Sequence, residues 1–292
     1  NSIVMGCAGM AQYRDRVDPY YNPSLSLADE RFAIAPRRSF VAAPPGPRRA
    51  LMCAFNLNWE GAPYSQFELT RALRDRGVID PVVFAPADGP LRRAYEDAGM
   101  PVQVLGHPLA GVGTAADYDA AIDRFATWVE AQRVAVVYGN TLQTFYAIDA
   151  AHRLGVPAIW NPRESEPWQD YFRQFPDAVA ARALGCYEKA YRVVFVAHAT
   201  ARACAALDTR HNFTVVHNGL DRARLAAGTA GADRAGARTE LGLARDDLAL
   251  LLLGTVCERK GQHDFARALA RLAHLVAARV RAFIVGHRPS AS

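Results

Sequence analysis

At 292 residues the chain has room for about two domains of ordinary size, and its 51% hydrophobic and 22% charged residues exclude disorder or coiled coil as the main state. Its longest apolar run, 248–254, falls far short of the roughly 20 residues that a membrane-crossing helix needs, and no signal-peptide pattern occurs. A dispersed net charge of +5 is too mild to indicate nucleic acid as a partner, and suits a nucleotide, a phosphorylated substrate or an anionic membrane surface equally well.

Residues 1–47 read as an extended arm. Asp18-Pro19-Tyr20-Tyr21-Asn22-Pro23 is turn-rich, and the Ala-Pro-Pro-Gly-Pro run at 43–47 is a linker. The Tyr20-Tyr21 pair suits an arm packed on a neighbour better than a ligand site. From Arg49 the pattern becomes regular, with an apolar run at 50–55, a turn at Glu60-Gly61-Ala62-Pro63, and a helix carrying Leu69, Ala72 and Leu73 on one face. Strands are expected at 81–85, 102–105, 134–138, 157–161, 193–197 and 214–216. Between them lie helices at 91–98, around Ile122, Phe125 and Val129, at 142–154, over 167–190, and up to Leu207. Unbroken apolar strands alternating with helices predict a parallel sheet covered on both faces, a doubly wound α/β domain over about 49–216. Asn218-Gly219-Leu220-Asp221 then leads into an Ala/Gly/Arg stretch at 226–236. A second unit follows: a helix near 238–241, a strand at 248–253, a helix over 262–277 with Phe265, Leu269, Leu272 and Val276 inward, and a strand at 280–285. Two parallel strands do not cover their own faces, so this second domain is expected to be cut short.

The five cysteines (Cys7, Cys53, Cys186, Cys204 and Cys257) stand far apart, are odd in number and form no C-x-x-C. That pattern disfavours a disulfide framework or a zinc site and fits a reducing cytoplasm. Of 34 basic residues only Lys189 and Lys260 are lysines, so each asks for a specific reason.

At the first turn, Gly61 permits close backbone approach and Pro63 suits the first helical position. Free N–H groups there could hold an anion, or the segment could be an ordinary strand-to-helix turn. The run Gly254-Thr255-Val256-Cys257-Glu258-Arg259-Lys260-Gly261 is not a P-loop, because Lys260 precedes the second glycine and no Ser or Thr follows it. It does set Arg259 and Lys260 at the carboxyl end of a strand, where open α/β sheets bind ligands. The scarcity of lysine favours neutralisation of a diphosphate over a solvated basic turn. Asn140, Arg163 and Glu164 follow strands and face the same kind of crevice. Arg163 and Glu164 could bind a polar acceptor, or form a local ion pair and a helix cap. Asp117-Tyr118-Asp119 has the D-x-D form of metal-dependent sugar transfer, but its place at a helix N-terminus favours capping, so no metal site is expected. His198, His211 and His217 lack ligand spacing. There is neither a G-x-S-x-G elbow nor a G-x-G-x-x-G after the first strand, which weighs against a dinucleotide dehydrogenase.

Four segments, taken together, resemble family 4 retaining glycosyltransferases over about 49–286. They are Glu60-Gly61-Ala62-Pro63 with Leu69-Thr70-Arg71-Ala72-Leu73 and Gly77; Asp88-Gly89-Pro90-Leu91; Val215-Val216-His217-Asn218-Gly219-Leu220-Asp221; and 254–261 with Gln262. The resemblance implies a GT-B type α/β fold. One complete doubly wound Rossmann-like lobe on the acceptor side (48–217) would follow the arm and linker (1–47). An interlobe linker and the first β-α-β part of a donor-side lobe (218–292) would come after it. The implied reaction moves a sugar from a nucleotide diphosphate sugar to a cell-surface glycan or lipid-linked acceptor, with retention of configuration and without a metal or other cofactor. Lys260 would contact the donor diphosphate and stabilise the leaving nucleotide, with Arg259, Thr255, Gly61 and Ala62 around it. Asn140, Arg163, Glu164, Asn218 and Gly219 would line the cleft or meet the acceptor, and no catalytic residue is assigned.

Two departures matter. Thr255 stands where the family often has Arg, which leaves the diphosphate more dependent on Lys260. The family's glutamate pair, E-x7-E, would fall beyond Ser292, so the chain is expected to be incomplete as an enzyme. The arm, Asp18-Pro19-Tyr20-Tyr21-Asn22-Pro23 with Leu25, Leu27 and Phe32, resembles the tail of family 2 glycosyltransferase domains and implies such a domain fused upstream. The expected location is cytoplasmic, at the inner face of the membrane. Two rival readings are a lobe that binds or scaffolds without catalysis, and a nucleotide-sugar epimerase carrying NAD, which the missing glycine fingerprint disfavours.

Overall fold

A computed structural model of the chain describes residues 46–164, 166–272 and 279–286. The arm's motifs and the inward placement of Leu272 and Val276 lie outside the described residues. The chain divides into two compact units, one ending at Gly219 and the other beginning at Leu220.

The first unit carries seven strands: β1 Arg48–Cys53, β2 Ile79–Ala85, β3 Val102–Val104, β4 Val136–Asn140, β5 Ala158–Asn161, β6 Arg192–Phe195 and β7 Phe213–Val215. All pair in parallel, in the order β3-β2-β1-β4-β5-β6-β7. The helices are α1 Gly61–Asp75, α2 Leu91–Asp97, α3 Ala115–Ala131, α4 Phe145–Arg153, α5 Trp168–Phe172, α6 Asp177–Lys189 and α7 His198–Ala203. The order reverses between β1 and β4, and this switch point opens a crevice at the carboxyl ends of the two strands.

Successive side chains of a strand point to opposite faces, and here both faces are dry. On one face Ala50 and Met52 of β1 pack with Phe67, Leu73, Leu91 and Tyr95 from α1 and α2. On the other, Leu51 and Cys53 join Ile122, Phe125, Ile148, Ala183 and Cys186 from α3, α4 and α6. Burial pushes the Cys53 and Cys186 thiols far above their ordinary range, so both behave as small apolar residues. Pro81, inside β2, sits opposite Ala50 and below Val83, where β3 begins to pair, so its missing N–H breaks no β2–β3 bond.

Asp88-Gly89-Pro90 braces the loop after β1. The Leu91 N–H donates to the Leu57 carbonyl at 2.8 Å, and a Cβ on Gly89 would stand 2.7 Å from that same oxygen. Gly89→Ala is expected to push the loop away and cost about 1–3 kcal/mol, a fall in Tm of about 2–4 °C per kcal/mol in thermal denaturation. An unchanged Tm would show that the loop yields freely.

Lys189 has a structural reason. Asp149 of α4 is 1% exposed. It accepts from the Tyr118 hydroxyl at 2.9 Å and from Lys189 Nζ at 2.8 Å, with Arg153 Nε at 3.8 Å. One buried carboxylate thereby ties α3, α4 and α6 together.

The second unit holds helices α8 Arg222–Thr229 and α9 Arg234–Glu240, the parallel pair β8 Leu248–Leu253 and β9 Val280–Val285, and α10 Gln262–Leu272 between them. The second half of α8 and the first turn of α9 fall within the 226–236 Ala/Gly/Arg stretch, where no helix was expected, and α9 runs on into the helix expected near 238–241. The Asp221 and Asp233 side chains cap them by accepting from the N–H groups of Arg224 and Ala235. Strand β4 runs 136–140 instead of 134–138, so Asn140 is its last residue and not part of the following loop.

Candidate functional site

Helix α1 begins at Gly61, two residues before Pro63, so the proline occupies the third helical position, where its absent N–H still costs no helical bond. Glu60 precedes the helix in extended conformation and makes no side-chain cap. A Cβ on Gly61 would meet nothing within 4 Å, so the helix end is open.

Four of the residues named from the sequence, Ala62, Asn140, Arg163 and Asn218, converge on the crevice. Asn140, fully buried at 0% exposure, donates from Nδ2 to the Ala62 carbonyl at 3.0 Å and accepts at Oδ1 from Arg163 Nε at 2.8 Å. Arg163 Nη1 continues to Asn218 Oδ1 at 2.9 Å. The first turn of α1, the end of β4, the loop after β5 and the segment after β7 are thus joined by one polar chain. Asn140 is its buried middle and Asn218 its exposed end, with Gly219, also exposed, next in sequence.

Glu164 is not an ion-pair partner here. Its Oε2 accepts the backbone N–H groups of Leu142 at 2.8 Å and Arg163 at 2.9 Å, pinning the loops after β4 and β5 to each other. Burial raises the Glu164 carboxyl above its ordinary range, opposed by those N–H groups. Relative to the unfolded chain the folded state therefore holds this proton to higher pH, and its stability declines as pH rises from the ordinary carboxyl range through the raised one. Glu164→Gln keeps an acceptor oxygen and removes the charge, so its Tm at neutral pH should equal or exceed that of the native chain. Glu164→Ala strands both donors and should cost about 1–3 kcal/mol. A Gln variant that melts as early as the Ala variant would refute this role.

Sequence reasoning missed Thr141, which sits next to Asn140 at φ 81° and ψ 164°, backbone space that residues other than glycine avoid. Four bonds hold it there: its N–H donates to the Asn161 carbonyl at 2.9 Å, and its carbonyl accepts from Trp160 Nε1 at 2.8 Å, the Thr144 hydroxyl at 3.0 Å and the Thr144 N–H at 3.4 Å. No residue-level signal announces such a conformation in a threonine.

The D-x-D carboxylates serve the fold. Asp117 and Thr114 form a reciprocal capping box at the start of α3. Asp119 binds Arg153 and Arg182, chiefly the latter, which draws its carboxyl down to about 2. His217 Nδ1 lies 3.0 Å from the Val196 carbonyl, with His198 beside it at 5.4 Å between ring centroids. Among the described residues no group of three or more His, Cys, Asp or Glu could hold a metal ion, and no helix is long and apolar enough to cross a membrane.

In the second unit, β8 ends at Leu253 and the chain turns through Gly254 into a short 3-10 turn, Glu258–Lys260. Gly261, at φ 72°, reverses the chain into α10. The Lys260 side chain is exposed, and its Cδ lies 3.8 Å from where a Gly254 Cβ would be. Lys260 therefore stands at the carboxyl end of β8, at the start of α10. Gln262 Nε2 donates to the Thr255 carbonyl at 3.0 Å, closing the loop on itself. The Arg259 side chain lies outside what the structure describes.

Residues 61–219, more than half of the chain, match the family described as glycosyl transferase 4-like domain, and the chain belongs to that family. Among solved structures it is similar to Anabaena Alr3699/HepE in complex with UDP and glucose, with 21% identity and a TM-score of 0.61, covering 83% of this chain and 62% of that one. It is also similar to a glycosyltransferase from Rickettsia africae ESF-5, with 11% identity, a TM-score of 0.58, and coverage of 82% and 60%. A third is a putative UDP-N-acetylglucosamine 2-epimerase from Listeria monocytogenes, with 13% identity, a TM-score of 0.50, and coverage of 82% and 63%. At these identities the likeness defines the fold, the Rossmann-like architecture of GT-B proteins. The chain spans about three fifths of the length of these structures. No curated protein matches it.

Proposed function

We propose that the protein is a glycosyltransferase that moves a sugar from a nucleotide diphosphate sugar to a glycan or lipid-linked acceptor, with retention of configuration. Residues 48–217 serve the acceptor side, and residues from 218 onward begin the donor side. The observation that carries this reading is the Ala62–Asn140–Arg163–Asn218 chain of hydrogen bonds at the switch point of a family-matched lobe. Such a crevice, with fixed polar groups and the open end of α1, is where open α/β sheets take polar ligands. Support for the donor comes from the Anabaena relative, solved with UDP and glucose.

In this scheme negative charge grows on the departing diphosphate as its bond to the anomeric carbon breaks. A preorganised cation is the means to stabilise it. Lys260 supplies that charge, with Arg259 next to it in sequence and the N-terminus of α10 behind. The chain's own cations take the role that a metal fills elsewhere. A lipid-linked acceptor would set the reaction at a membrane surface, here the cytoplasmic face in our reading.

The test is nucleoside diphosphate release by the full-length protein from a panel of UDP-, GDP- and TDP-sugars, with and without a membrane extract as the source of acceptor. Release from one nucleotide class, accelerated by the extract, is expected. Binding of a nucleotide sugar with no release under any condition would favour a lobe that only binds.

A further inference from the structure

The loop between β1 and α1 carries a tryptophan that the polar chain does not use. Trp59 is 57% exposed, and among the described residues it is the one exposed tryptophan. Its ring is nevertheless held in place. It lies 5.4 Å from Tyr64 between ring centroids, Tyr64 lies 6.1 Å from Phe67, and Phe67 meets the buried Tyr95 edge-on at 5.0 Å. A ladder of rings thus runs from the core to the surface and ends in a presented indole. Trp59, Glu60, Gly61 and Tyr64 line a shallow concavity of about 330 Å³, at the small end of the range for small-molecule sites. Among the described residues Glu60 is the one charged residue of that lining. Asn58 Nδ2 stands 3.5 Å from its Oε1.

We propose that Trp59 is a stacking platform for a pyranose ring of the acceptor, with Glu60 and Asn58 receiving the ring's hydroxyl groups. The proposal rests on the glycosyltransferase reading above and names where the acceptor sits. A pyranose has one face of C–H bonds and a rim of hydroxyls, which matches an aromatic face flanked by a carboxylate and an amide. A diphosphate does not match, because among the described residues the lining offers a carboxylate and no cation. An aromatic side chain already held by its neighbours gives up little freedom on binding, which makes it an economical anchor for a neutral ligand.

The test has two readouts. In the full-length protein, the indole N–H resonance of Trp59, assigned with Trp59→Phe, is followed during titration with the methyl glycosides of glucose, galactose, mannose and N-acetylglucosamine, with sorbitol as an open-chain control. At least one glycoside should move it and sorbitol should not. In the transfer assay, Trp59→Ala should raise the acceptor KM about tenfold while the donor KM stays in place, and Trp59→Phe should recover part of the loss. If no nucleotide sugar is turned over but a glycoside still moves the resonance, the transferase reading fails and the platform stands. If transfer proceeds while no glycoside moves the resonance more than sorbitol and the acceptor KM of Trp59→Ala is native, the platform is overturned and the transferase reading stands.

Discussion

Lys260→Ala in the full-length protein should lower sugar transfer by about 10²–10³-fold in kcat, the loss typical when one preorganised contact to developing negative charge is removed. The side chain is exposed and its stem lies beside Gly254, so the variant should melt with the native protein. Thr255 adds no charge at the loop, so the deficit should fall on Lys260. Lys260→Arg should restore part of the rate, because guanidinium keeps the charge but spreads it over a wider, planar group. Steady-state kinetics with saturating donor provide the check. A Lys260→Ala enzyme with native kcat would remove Lys260 from the diphosphate site.

Lys189→Ala should act on stability instead. It leaves the Asp149 carboxylate buried, with the Tyr118 hydroxyl and a more distant Arg153 as its remaining partners. Breaking a buried ion pair from one side costs about 3 kcal/mol or more, whereas replacing both partners with apolar groups is often close to neutral. Asp149→Leu combined with Lys189→Met should therefore recover much of what Lys189→Ala loses in urea denaturation. A single variant within about 0.5 kcal/mol of the native chain would show that the pair holds nothing in place.

These two lysines mark what a sequence can and cannot disclose. Their rarity among 34 basic residues is plain from composition, but their different roles are not. Lys189 meets a residue 40 positions away, and only packing of α4 against α6 reveals it. Strands that are unbroken apolar runs were legible nearly to the residue: β8 and β9 fall where the sequence sets them. Strand β4 was offset by two residues, because Val134 and Ala135 are as apolar as the strand and periodicity alone does not mark where pairing begins. The α8 helix was missed because Ala/Gly/Arg composition masked an ordinary aspartate cap, and α9, expected near 238–241, starts earlier, at Arg234.

The site shows the same division. Asn140 and Arg163 could be flagged because each follows a strand, and Asn218 by the family resemblance, yet their mutual bonds span 23 and 55 residues and belong to the fold alone. Glu164 looked like half of an ion pair beside Arg163, but its carboxylate is spent on two backbone N–H groups. The D-x-D segment gave the right warning, since a helix start claims Asp117, and the structure adds that Arg153 and Arg182 claim Asp119. Trp59 went unnoticed because an aromatic next to a turn reads as ordinary packing until its exposure is known.

The most direct measurement follows the anomeric proton of the sugar by real-time NMR as the full-length protein consumes a nucleotide sugar in the presence of acceptor. The account predicts loss of the donor signal, release of the nucleoside diphosphate, and a glycoside product with the donor's anomeric configuration. A donor that stays intact, a product of inverted configuration, or conversion of the donor into its C2 epimer without any acceptor would contradict it.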